Sequence, residues 1–217
     1  MYRFLKYTCL ALCLFLPFGA HSSTGLKDFE FAKVLITEEE WAAAMNFFGL
    51  AISDGVLNKR QTAEAYHLRG VSRGKLNKHR LALHDHKRAI KLLPDYVAAW
   101  SSVCYQNMAN AKDLDAAMAA CDKALALNPK HAPSYALRAE VWHGQGDNQR
   151  AEADFAQSLR IDPENWGVHY NRAIFYHNIQ QPAKAKASFT KAYLLASDWQ
   201  RSRMAATKVF RSYGIKH

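Results

Sequence analysis

Ten histidines, four cysteines and a scatter of carboxylates are the groups in this 217-residue chain that could do chemistry. A zinc site takes three or four ligands at about 2 Å. His84 and His86 stand two apart on a predicted helix, so they point to nearly opposite faces and cannot share an ion. His143 and His177 hold equivalent places in successive stretches of the chain, which would ladder two imidazoles. No cysteine or carboxylate spacing supplies the remaining ligands, so neither a metal nor any other cofactor is expected. A nucleophile elbow, a phosphate-binding glycine loop and a zinc-protease pair are all missing from the sequence. The Asp and Glu residues scatter as solvated helix faces do, and the chain reads as a non-enzyme. An unrecognised active site would have to use Glu140, His143 and His177.

Two cysteines carry the remaining possibility. Residues 1–22 read as a cleaved secretory signal: Arg3 and Lys6 lead, Tyr7 to Leu16 form a short apolar run, and small residues Ala20 and Ser22 follow Pro17 and Gly19. Removing that segment removes Cys9 and Cys13 and leaves Cys104 and Cys121 in an oxidising compartment, periplasmic or secreted. A disulfide between them requires Cα atoms within about 7 Å and would contribute about 2–4 kcal/mol. The alternative is two buried thiols acting as small apolar side chains.

The elements that must position these groups show themselves as a repeat. Counting back from Pro94, Pro129 and Pro163, a small residue lies five before (Ala89, Ala124, Ser158) and a larger one eight before (His86, Cys121, Phe155). Another small residue lies twelve before (Ala82, Ala117, Ala151). Tyr66, Trp100, Tyr135 and His169 share one place upstream, and Gly70, Cys104, Ala139 and Ala173 another, at spacings of 34, 35 and 34. The extra residue of the second unit is expected in the loop near Asn110 to Leu114, because a loop absorbs an insertion that a packed helix resists. Two helices per unit at this period indicate a solenoid, since one hairpin cannot bury its own apolar stripe.

These positions resemble the tetratricopeptide repeat: Tyr66, Gly70, Ala82, His86, Ala89 and Pro94 in the first unit, and Tyr135, Ala139, Trp142, Gly146, Ala151, Phe155, Ser158 and Pro163 in the third. Arg73, Asn107 and His86 depart from it where aromatics are usual, and Ser197 stands where the fourth unit would carry proline. The resemblance implies an all-α, right-handed superhelical solenoid with units at 63–96, 97–131, 132–165 and a degenerate 166–198. An extension at 23–36 and a half-unit at 37–60 precede them, the latter opened by a capping box of Thr37 and Glu40. A capping helix at 199–217 follows, and the end caps could pair copies of the chain.

The resemblance also implies a concave groove for a protein or peptide segment, here lined by His67, Tyr105, Met108, Glu140, His143, Tyr170, Ile174 and His177. The Lys, Asn and Arg clamp with which some relatives hold acidic tails is replaced by His67, Val71, Ser102, Pro133 and Leu137. The expected function is a non-catalytic scaffold or adaptor in envelope assembly, its partner unidentified. The alternative uses the net charge of +10. Basic residues such as Arg73, Lys75, Arg80, Arg201, Arg203 and Arg211 would then meet anionic lipid or cell-wall polymer. Nucleic acid is not expected, because no reader fold is present.

Overall fold

The computed structural model describes residues 24–111 and 113–215, so the expected signal segment lies outside it. Among those residues the helices run in antiparallel pairs: α1 (Thr24–Thr37) with α2 (Trp41–Asp54), α3 (Lys59–Lys75) with α4 (His79–Leu92), and α5 (Val97–Gln106) with α6 (Leu114–Leu127). Then come α7 (Ala132–Gly144) with α8 (Asn148–Ile161), α9 (Trp166–Asn178) with α10 (Pro182–Leu195), and the short α11 (Asp198–Ala206) and α12 (Lys208–Arg211). No described helix is long and apolar enough to cross a membrane.

Local chemistry sets the helix limits. Asn58 and Ser197 make capping boxes with Gln61 and Gln200, and Asp113, Asp147 and Asn165 accept from the backbone N–H three residues on. Hairpins turn on a residue in the left-handed region: Glu39 (φ 59°), Asn77 (φ 59°), Gly146 (φ 88°) and Gln180 (φ 58°). In the second and fourth units the large residue has a bonding role as well as bulk. Trp100 Nε1 donates to the Pro94 carbonyl at 2.8 Å, and His169 Nε2 lies 3.0 Å from that of Pro163, tying each first helix to the turn before it.

The core is a column of close crossings. Ala82, Ala117, Ala151 and Ala185 are fully buried, as are Cys104, Ala139 and Ala173 and, further along, Ala89, Ala124 and Ala192. Against these small residues lie Phe48, His86, Cys121, Phe155 and Phe189, one per hairpin. Small side chains let the backbones approach and large ones fill the gap behind. Ala139→Leu or Ala151→Leu should therefore overpack a crossing and cost about 1–3 kcal/mol. Thermal unfolding reads this directly, and an unchanged midpoint in both variants would contradict the crossing.

Four expectations are corrected. The half-unit at 37–60 is a full hairpin, because residues 24–37 form α1 and bring Phe29, Ala32 and Leu35 onto Ala44, Phe48 and Ala51. Phe29 and Phe48 meet edge to face, with ring centroids 6.0 Å apart. The Thr37–Glu40 capping box does not form: Thr37 closes α1 and donates to the Val34 carbonyl at 2.7 Å, while Glu40 caps α2 without a side-chain bond. The single C-terminal helix is broken at Thr207, whose hydroxyl caps α12. The extra residue of the second unit sits inside the first helix, as a π turn over Asn107–Ala111 that lengthens one turn by one residue.

Polar staples alternate along the column. Asp85, fully buried, receives Arg69 Nε and Nη2 at 2.9 and 2.8 Å and Arg73 Nη1 at 2.6 Å. Two units on, Arg138 forks onto Asp154 at 2.7 and 3.0 Å and reaches back to Asp122 of the preceding unit at 2.7 Å. Between them, where Val103 and Ala120 replace the ion pair, Cys104 and Cys121 are joined by a disulfide with Cα atoms 5.3 Å apart.

A groove along the inner helices

The first helix of each hairpin faces the hollow of the solenoid, so α3, α5, α7 and α9 share one concave wall. Two adjoining cavities, of about 450 and 340 Å³, open along it. The larger is lined from α3 by Val71, from α5 by Ser101 and Tyr105, from α7 by Ala136 and Leu137, and from α9 by Val168. The smaller is lined by Met108, His143, Phe155, Ile174 and Phe175. Glu140 and Asn171 belong to both, marking the point where the two cavities join.

Five of the eight sequence-derived groove residues line this surface: Tyr105, Met108, Glu140, His143 and Ile174. Tyr105 is 44 % exposed, an aromatic open to a partner. The other three are corrected. His67 is only 7 % exposed, its ring held between those of His86 and Tyr96 at centroid distances of 5.1 and 5.0 Å. Tyr170 packs edge-on against Phe189 at 5.5 Å, within the core of the fourth unit. His177 is exposed and lies outside the two cavities, with the Tyr213 hydroxyl 2.8 Å from its Nδ1. His143 and His177 thus take separate partners, since His143 Nδ1 lies 2.8 Å from Asn148 Oδ1. Among the described residues no group of three potential metal ligands comes together.

Asn171 is not among the sequence-derived groove residues, yet it lines both cavities. It stands in the fourth unit where Ser102 and Leu137 stand in the second and third. It donates to Glu140 Oε1 at 2.8 Å, across the step from α9 to α7. Partial burial among apolar walls pushes the Glu140 carboxyl up to about 7, against the opposing pull of the Asn171 amide.

The basic residues are less free than their number suggests. Arg73 is spent on Asp85, so it does not belong to an open basic face. Lys75 lies over the Trp41 ring at 5.4 Å and Arg203 over Trp199 at 4.9 Å. Arg201 donates to the Tyr193 carbonyl at 3.0 Å and pairs with Asp198 at 3.2 Å, closing the last turn of α10. Arg80 and Arg211 remain exposed. The outer face of α4 carries Arg80, His84, Lys87, Arg88 and Lys91 along one exposed stripe.

Models of the tetratricopeptide repeat match residues 109–131, 132–165 and 155–187. No curated protein matches the chain significantly. Among solved structures, the thermophilic TPR protein TTC0263 of Thermus thermophilus superposes with a TM-score of 0.74 at 20% identity, covering 87% of this chain and 98% of its own. MamA residues 41 to the end, from Desulfovibrio magneticus RS-1, reach 0.62 at 14% identity, covering 87% and 100%. YrrB, described as a TPR protein with an unusual peptide-binding site, reaches 0.53 at 18% identity, covering 82% and 89%. These likenesses establish a shared fold. With hairpin after hairpin closing on the same small-to-large crossing, and the repeat models matching residues 109–187, the chain carries tetratricopeptide repeats in its central hairpins and shares the fold of tetratricopeptide-repeat proteins.

Proposed function

We propose that this protein is a non-catalytic scaffold that holds a segment of a partner protein in its concave groove, working in the cell envelope after export. Continuity of the groove carries the reading. Its two cavities run across four consecutive inner helices and present Tyr105, Leu137, Met108 and Ile174, apolar and adaptable contacts suited to a peptide. YrrB, which shares the fold, is described as a peptide binder. The Cys104–Cys121 disulfide accords with an oxidising compartment, and residues 1–22 would supply the export signal.

The stripe on α4 favours a second reading, adsorption to anionic lipid or cell-wall polymer. Asp85 is the only acid on α4, and it is buried beneath two arginines, so the outer face is left cationic. Salt separates the two readings, because exposed charges are screened within about 8 Å at physiological ionic strength.

The test is retention from an envelope extract by the protein purified from the full coding chain, at low and high salt, beside a Tyr105→Ser/Met108→Ser variant. A discrete protein held at high salt and reduced at least about tenfold by the variant is the expected result. Polymer or lipid held only at low salt, equally by both proteins, would replace the groove reading with the charged-surface one.

A further inference from the structure

Glu140 is the sole carboxylate among the described residues lining the two cavities, and it stands where they join. Asn171 is its only hydrogen-bond partner among the described residues, which leaves Oε2 without one. The nearby cations are engaged elsewhere. Arg138, two residues earlier on α7, forks onto Asp154 and Asp122, and Lys75 sits over the Trp41 ring. Around the carboxyl the walls are apolar: Leu137, Val168, Ile174 and Phe175, with Met108 and Tyr105 beyond. A half-sequestered carboxylate with one bond and no counter-ion is an incomplete pair, and a cation brought in by a ligand would complete it.

The geometry points to Glu140 as the anchor for a single Lys or Arg side chain, carried by a partner peptide whose flanking residues are apolar. This rests on the groove reading above and specifies its occupant. The charge of the whole chain narrows that occupant further. A net +10 repels polybasic segments at long range, so one buried cation in an otherwise neutral or acidic partner fits better than a basic tail. The match inverts the recognition that a Lys, Asn and Arg clamp would give, and it depends on the apolar and small residues at 71, 102, 133 and 137, beside which the one cation lining the cavities, Lys75, lies over the Trp41 ring.

The anchor makes binding depend on pH. The titratable groups facing the groove are Lys75 from α3, Tyr105 from α5 and His143 from α7, with His86 of α4 beneath; α9 contributes the uncharged Asn171 and Asn178. A ligand cation pairs with the ionised carboxylate, so binding releases the proton that Glu140 holds below about pH 7. Affinity should fall about tenfold between pH 8 and pH 6 as the ionised fraction drops. His86, held down at about 3 by burial, stays neutral across that range.

The experiment is selection of displayed random dodecapeptides at pH 8 on the protein, on Glu140→Gln and on Glu140→Lys. Glu140→Gln keeps the size of the side chain and an acceptor for Asn171, and thermal unfolding checks each variant. The expected result is enrichment by the wild type of peptides with Lys or Arg at one fixed place between apolar residues. Replacing that residue with norleucine should cost about tenfold or more in affinity. Glu140→Lys should select Asp or Glu there instead. The pH profile should vanish in Glu140→Gln and persist in His143→Gln. Enriched peptides without a basic preference, or bound equally by Glu140→Gln, would overturn the anchor while leaving the groove reading intact. If no peptide were enriched on any of the three proteins, the groove reading would fall and the anchor with it.

Discussion

Acidification from pH 7 to pH 4 is expected to destabilise the first repeat by about 3 kcal/mol through His67 alone, with His86 adding to it. His67 on α3 and His86 on α4 are 7 % and 1 % exposed, and the Nδ1 of each lacks a hydrogen-bond partner among the described residues. Burial pushes His67 down to about 4, and burial together with the neighbouring His67 pushes His86 down to about 3. The unfolded chain protonates both near 6.5, so below that pH it binds more protons than the folded chain. Stability is therefore complete above about pH 6.5 and is lost as pH falls towards the folded values. Urea unfolding at pH 7 and pH 4 measures the loss. His86→Leu, close to His in volume, should lose distinctly less than the wild type over the same interval. Parallel losses would mean that the acid sensitivity does not come from His86.

Phe155→Ala should cost about 3–5 kcal/mol. Phe155 is fully buried in the third hairpin, against Ala139 and Ala151, and meets the Phe175 ring at 5.5 Å. Truncation leaves a void whose walls are helix backbones fixed by their own hydrogen bonds, so the site cannot collapse to fill it. For a chain of this size Tm should fall by about 10 °C. Phe155→Leu, which restores most of the volume, should recover the larger part of the loss. Since Phe155 also lines the smaller cavity, the alanine variant should weaken a ligand seated beside Met108 and Ile174 as well. A melting curve indistinguishable from wild type would mean the ring is not the keystone of its crossing.

Repeats are legible because the same physical problem is solved at each crossing and leaves the same residues behind. The ladder from Pro94, Pro129 and Pro163 placed α3 to α10 nearly where they lie, since each rung is set by contact between neighbouring helices. The ends were read less well. Among the described residues α1 is the first helix, and its apolar residues at 29, 32 and 35 meet chiefly α2, while the Thr37–Glu40 pattern suggests a start where one helix closes. Site residues were legible where position alone decides, as for Tyr105 and Glu140. They were illegible where a residue from another element intervenes. Tyr96 packs on His67 and the Tyr213 hydroxyl bonds His177, and neither contact has a fixed spacing along the chain. Asn171 was overlooked because its role depends on a bond across units.

The π turn at Asn107–Ala111 bears on how such an array can change length. An extra residue in a continuous α-helix would rotate everything after it by about 100° and turn the following segment out of step with its neighbours. Widening one turn takes up the residue as local slack, so Cys104 before it and Cys121 after it still face each other and α6 still lies on α7. The second unit is thus longer than its neighbours yet keeps step with them. A solenoid that stores an insertion in this way holds its phase while its sequence drifts, much as a leap day keeps a calendar aligned with the seasons.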